Sequence, residues 1–244
     1  VKKVLVRRIL RAVQRRIGRR VEPGGDGRLA NYLDRRAARR VLESIIAKTN
    51  DVKTVHWLGR PIWQYPLDLW IIQEMIAEQK PDLVVETGTH LGGSAYFFAN
   101  ICDLLDHGQI ISIDIAAQGT MPHPRITYVQ SSSTDPAIIR RVANRIREIG
   151  ARKILIMLDS DHSEQHVRQE LEVYAPLVPV GSFIHVQDGC IDELRCLQDG
   201  RPGPVPAVKS FLNDHPQFIR DTGVELRYVM TAHPYGWLRR VVAD

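Results

Sequence analysis

The chain has 244 residues, with 33 Lys+Arg against 28 Asp+Glu and 44% hydrophobic content. That is enough apolar material for one α/β domain with an appendage, and too ordinary a composition for a disordered or fibrous chain. The longest unbroken apolar runs, such as ILIML at 154–158, are about five residues, far short of the roughly 18 that a membrane span needs.

The net charge of +5 is unevenly placed. Residues 1–40 carry 14 Lys+Arg and three acids, so the remaining residues hold 19 bases and 25 acids. The body is acidic and lacks an aromatic-interleaved basic patch, so no specific nucleic-acid partner is expected. The three cysteines, Cys102, Cys190 and Cys196, are odd in number and form no CxxC pair. They exclude a complete disulfide framework and a Cys-rich zinc site, and point to a reducing, cytoplasmic setting.

In chain order, the first twenty residues space Val6, Ile9, Leu10, Val13 and Ile17 as one helix face, with Arg and Lys filling the other. This predicts a basic amphipathic helix, interrupted too often by arginine for a secretory signal. EPGGDG (22–27) breaks it, and a second basic helix is expected over Leu29–Lys48. Residues 1–50 therefore read as a helical extension and 51–244 as the main domain. PLDLWIIQEMIAEQ reads as a helix with Pro66 near its start. Strands are expected at 83–87, 109–114, 126–130, 154–159 and 183–188, with helices near 93–106, 135–149 and 163–175. A closing strand pair is expected at 226–231 and 237–242. Strand-helix alternation predicts a doubly wound, Rossmann-like parallel sheet, and the closing pair an antiparallel edge.

Polar clusters stand at the strand ends, where open α/β sheets hold their ligands. The first is ETGTHLGGS, Glu86 to Ser94, with Gly88 turning the chain off the strand and Gly92 and Gly93 permitting close approach of a ligand. His90 stands where a dinucleotide fingerprint needs glycine. Asp114, 26 residues after Gly88, can accept hydrogen bonds from ribose hydroxyls. Glu86 would repel a pyrophosphate and attract a sulfonium and an ammonium, which favours S-adenosylmethionine over NAD. Thr134 or Asp135 caps the next helix ahead of Pro136, and Ser132 is free to line a pocket or to serve the cap. LDSDH supplies Asp159, Asp161 and His162, and VQD supplies Gln187 and Asp188. Oxygen ligands from Asp159, Gln187 and Asp188 suit a hard cation such as Mg²⁺, and His162 can take a proton near neutrality. His185 reads as a core histidine, and Trp57, Trp63 and Trp70 as packing residues. RPGPVP (201–206) reads as a rigid loop over the crevice, offering Arg201 to substrate.

The stretches from PLDLWIIQEMIAEQKPDLVVETGTHLGGSAYFFANICDLL through HGQIISIDI, HPRITYVQSSSTDP and ILIMLDSDHSEQHV to HPYGWLRRV resemble one bacterial family over about residues 55 to 242. It is labelled cephalosporin hydroxylase and includes mycobacterial rhamnosyl O-methyltransferases acting on cell-envelope glycolipids. The resemblance implies a class I S-adenosylmethionine-dependent methyltransferase fold with a magnesium site. It implies cofactor contacts from Glu86, Gly88, Ser94 and Asp114, to which we add Thr89, Gly92, Ser132 and Asp159 as neighbours in the same crevice. It implies metal ligands at Asp159, Gln187 and Asp188, and a base at His162. The family usually has Glu-Asp where this chain has Gln187-Asp188, which removes one anionic ligand.

The expected activity is O-methylation of a hydroxyl on a sugar or glycolipid acceptor, with Asp159 and His162 as catalytic residues. A non-catalytic cofactor-binding scaffold and an iron-dependent hydroxylase are the alternatives. A homo-oligomer is expected, with residues 1–20 available for peripheral contact at the inner face of a membrane.

Overall fold

The computed structural model describes residues 27–116 and 120–243, with side chains from Arg36 onward. The basic helix expected over residues 1–20 lies outside them. The chain divides into two units between Val41 and Leu42. The first, where described, is helical: α1 runs over Gly27–Lys48, and its last turns belong to the second unit. There Leu42 and Ile46 pack with Val52, Tyr65, Cys190, Leu194 and Ala232. Among the described residues no helix is long and apolar enough to cross a membrane.

The second unit continues with a small antiparallel hairpin, β1 (His56–Trp57) and β2 (Arg60–Pro61). Next come α2 (Pro66–Gln79), β3 (Leu83–Thr87), α3 (Gly93–Leu104), β4 (Gln109–Asp114), β5 (Ile126–Gln130), α4 (Pro136–Glu148), β6 (Ile154–Leu158), α5 (Glu164–Tyr174) and β7 (Phe183–Val186). The last elements are α6 (Pro204–Asp214), β8 (Phe218–Arg220), the short α7 (Thr222–Glu225) and β9 (Trp237–Arg240). Seven strands form one sheet in the order β5-β4-β3-β6-β7-β9-β8. β5, β4, β3, β6 and β7 pair in parallel, and β9 pairs antiparallel with both β7 and β8.

The central strands are buried on both faces, and their residues alternate between two cores. Leu83, Val85, Ile156 and Leu158 face one core with Val142, Leu171 and Phe211 of α4, α5 and α6. Val84, Ile110, Leu155 and Met157 face the other with Ile72, Met75, Phe98 and Ala99 of α2 and α3. β3 keeps Leu83 level with Gln109 and Ile154, and Thr87 level with Ile113 and Leu158. The carboxyl ends of these strands therefore stop at one height. The sequence order of the strands reverses between β3 and β6, and a crevice opens there.

The structure departs from the sequence pattern in two places. No strand forms over 226–231; the antiparallel partner of β9 is β8 at 218–220, and the later stretch is spent on turns after α7. RPGPVP does not end as a loop: Pro204 starts α6, where proline is well tolerated because a first-turn N–H has no helical partner.

Candidate functional site

A cavity of about 480 Å³ opens at the strand ends. Its wall includes Gly88, Thr89, Ser94, Asp114, Ser132, Asp159, His162 and Asp188, all of them expected at the site from the sequence pattern. Glu86, Gly92 and Gln187 do not line it.

The β3–α3 turn forms one side. Gly88 has φ +86, and a Cβ there would fall 1.9 Å from the Asp159 carbonyl oxygen, so only glycine lets the two strand ends come this close. Glu86 is buried, and Ser112, its register partner on β4, donates to it at 2.5 Å. Because the single Ser112 proton is used there, Thr89 donates to Ser112 at 2.6 Å. Glu86 thus reaches the cavity through two hydroxyls. Burial pushes its carboxyl up to about 7, against the opposing pull of the Ser112 and Ser94 hydrogen bonds. Asp114 accepts from the backbone N–H groups of His90 (2.8 Å) and Ala116 (2.9 Å), and each oxygen keeps a second lone pair.

The opposite side carries the titratable cluster. Asp159 follows β6 directly, and Asp188 stands two residues beyond β7. His162 Nε2 lies 3.3 Å from Asp188 Oδ2 and 3.9 Å from Asp159 Oδ1. One ligand atom from each of the three falls within 4.8 Å of the others. Asp188 is left-handed, with φ 56, and its N–H donates to His233 Nδ1 at 2.8 Å. His233 is fully buried, with Nε2 facing Asp68 at 3.8 Å; Asp68 in turn accepts from Thr231 Oγ1 and the Ala232 N–H. The carboxyl of Asp159 is raised well above its ordinary range, by burial first and then by the charges of Asp188, Glu86 and Glu170.

Gln64, buried in the loop between β2 and α2, joins this cluster. Its Nε2 donates to Asp159 Oδ2 (2.8 Å) and to Gln187 Oε1 (2.5 Å). That orientation leaves the Gln187 oxygen against both Asp159 oxygens and Gln64 Oε1. Turning the Gln187 amide over satisfies those oxygens at 3.0, 3.1 and 3.2 Å but sets two amide nitrogens 2.5 Å apart. Every orientation of the two amides leaves at least one like-against-like contact while Asp159 is ionised. A cation among the oxygens removes the conflict, so the donor set fits a hard divalent ion.

Several residues sit elsewhere than expected, and others carried no signal. Arg201 is spent on the carbonyls of Ile191 and Leu194 and does not reach the cavity. Trp57 packs on Phe97 as expected, but Trp63 lines the cavity against His90, and Trp70 is exposed. Asp135, not Thr134, caps α4, accepting from the Ala137 N–H. His185 is a core residue, stacked on Trp237. His166 of α5 also lines the cavity, beside Ser133, Ser160 and Glu170, whose hydrogen bond raises its pKa. Gln64, Asp68 and His233 carried no spacing signal, since each reaches the cluster only through tertiary packing.

The family model described as Rhamnosyl O-methyltransferase/CmcI matches residues 49–241. The rhamnosyl O-methyltransferase of Mycobacterium tuberculosis is 34% identical over 190 residues, spanning 75% of this chain and 77% of that protein. The one from Mycobacterium leprae is 32% identical over 194 residues, spanning 77% and 83%. An apo structure of CmcI superposes with a TM-score of 0.62 at 19% identity, covering 78% of each chain. A structure of CmcI with Mg and SAM superposes with a TM-score of 0.61 at 18% identity, covering 79% of this chain and 78% of that one. These two show the shared Rossmann-like sheet. The chain belongs to the rhamnosyl O-methyltransferase/CmcI family of class I methyltransferases.

Proposed function

We propose that the protein is an S-adenosylmethionine-dependent O-methyltransferase acting on a hydroxyl of a sugar or glycoconjugate. A divalent cation, Mg²⁺ or one like it, would be held by Asp159, Asp188 and the amide oxygen of Gln187. The observation that carries this reading is that His162 and two carboxylates converge on the cavity that also receives the Gly88–Ser94 turn and Asp114. Family membership supports the same reaction class.

Bound S-adenosylmethionine would supply an activated methyl group, and a bound cation would act as a Lewis acid that lowers the pKa of an acceptor hydroxyl. The chain's own residues do the remaining work. Asp114 accepts from ribose hydroxyls, and Glu86 sets the polarity of the Thr89 side of the cavity through Ser112. His162 Nε2 takes the acceptor proton, and Asp188, 3.3 Å away, stabilises the imidazolium. Holding both reactants in one cavity supplies proximity and orientation. Residues 1–20, whose sequence spaces apolar residues at helical intervals among Arg and Lys, would bring the enzyme to anionic lipid, where a glycolipid acceptor resides.

Calorimetry with S-adenosylmethionine and a methyl-transfer assay on rhamnosides test the reaction. His162→Ala is expected to lower kcat about 10²–10⁴-fold with the cofactor still bound. The Asp159→Ala, Asp188→Ala double variant and EDTA treatment are each expected to abolish turnover. No cofactor binding by the pure protein would refute the reaction class. Full activity in EDTA and in the double variant would refute the metal.

A further inference from the structure

The Gln64 amide stands where a cation would be needed. Its Nε2 donates to Asp159 Oδ2 at 2.8 Å in either orientation of Gln187. With the Gln187 oxygen turned toward it, the same NH₂ group also reaches Oε1 at 2.5 Å, so one polarised donor contacts two of the side chains assigned to the metal. Gln64 is 3% exposed, and its backbone is fixed on both sides. Trp63 before it is left-handed, with φ 42, and buried Tyr65 after it leads into α2, its carbonyl accepting from the Leu69 N–H. The loop is held against α3, where Gly93 lets the Pro61 carbonyl come so close that a Cβ would meet it at 2.0 Å. The donor is therefore built into the site and is not a wandering surface side chain.

An amide donor partly offsets the repulsion between the buried oxygens of Asp159 and Gln187, but as a dipole it does so less completely than a divalent charge. It also competes for the same lone pairs. We propose that Gln64 is a tethered stand-in for the cation: it holds Asp159 and Gln187 together in the metal-free chain, and its amide must turn away or present its oxygen when the ion enters. With Gln187 in place of a carboxylate, the site has less negative charge with which to displace that donor, so Gln64 sets the metal concentration at which the enzyme loads. This rests on the reading of Asp159, Gln187 and Asp188 as the metal site.

The test measures Mn²⁺ affinity of the full chain by electron paramagnetic resonance, for the native protein and for Gln64→Ala, Gln64→Met and Gln187→Glu. Circular dichroism and S-adenosylmethionine calorimetry serve as controls for folding. Gln64→Ala, and Gln64→Met with its similar length and no N–H, are both expected to bind Mn²⁺ about tenfold tighter, the effect of removing a competing hydrogen bond to a charged group. A residue with a purely structural role would weaken binding when removed. Unchanged or weaker Mn²⁺ binding in both folded Gln64 variants, with Gln187→Glu binding tightly, would overturn the stand-in role and leave the metal site standing. No Mn²⁺ binding by any of the four proteins would overturn the metal site and the stand-in together.

Discussion

Among single residues, Glu86 is buried beside the cavity before any ligand arrives, and it shows what such burial does to stability. Its carboxyl rises from an ordinary 4.5 to about 7 because burial opposes the charge more than Ser112 and Ser94 stabilise it, and the nearby Asp114 charge pushes the same way. Between those two values the folded chain keeps a proton that the unfolded chain has lost, so stability falls as pH rises through the window. The full effect is on the order of 3 kcal/mol above the folded value. Asp68 and Asp159, also raised by burial, act in the same direction. Glu86→Gln removes only its own share. Its thermal midpoint in the ligand-free state is expected to match the native protein near pH 4.5 and to exceed it by several degrees at about pH 8, given about 2–4 °C per kcal/mol at this size. Equal midpoints at both pH values would contradict the buried, proton-holding Glu86.

Among elements, the site depends on how closely three pieces of backbone approach. The β2–α2 loop lies on the first turn of α3, the β3–α3 turn lies on the end of β6, and each contact has a glycine where a side chain would intrude. Gly93→Ala places a Cβ 2.0 Å from the Pro61 oxygen and 2.8 Å from Ile62 Cα, so the loop must move as a unit. We expect a destabilisation of roughly 2–4 kcal/mol. Displacing the loop also carries Gln64 away from Asp159, so the variant should take up Mn²⁺ more readily at temperatures where it remains folded. Thermal melts and Mn²⁺ titration check the two effects separately. The Asp188 turn is a second such junction. Its left-handed backbone is secured by the His233 ring, which links the turn after β7 to the segment before β9.

Across the whole molecule, the distribution of charge matters more than its sum. Residues 1–40 carry 14 of the 33 Lys+Arg and only three acids. The proposed attachment to anionic lipid rests on this separation of a basic N-terminal stretch from an acidic body. The full chain is expected to co-sediment with phosphatidylglycerol vesicles at low salt and to release at high salt, while a chain lacking residues 1–20 stays in the supernatant. Equal sedimentation of the two would refute a lipid-binding role for the segment. The shortened chain keeps Leu42 and Ile46, which pack in the second unit.

Much of this architecture is legible in one dimension because its causes are local. Alternating apolar strands and capped helices lead to the doubly wound order. Glu86, Gly88, Asp114, Asp159 and Asp188 sit at strand ends because those are the positions where an apolar run stops. Strand β8 was not legible: Phe218–Arg220 is three residues long, and it is a strand only because β9 pairs with it, Phe218 against Arg240. The partners of the cluster were hidden for the same reason. Gln64, Asp68 and His233 come from a loop, a helix start and the approach to the last strand, and nothing in their spacing links them to Asp159 or Asp188. Fold class, the strand-end residues of the cavity and the separation of charge all follow from periodicity, the ends of apolar runs and composition, which are properties of the linear chain. Which polar groups meet, and how they are held, is settled by packing instead, because hydrogen-bond geometry where the strand order reverses depends on segments far apart in the chain.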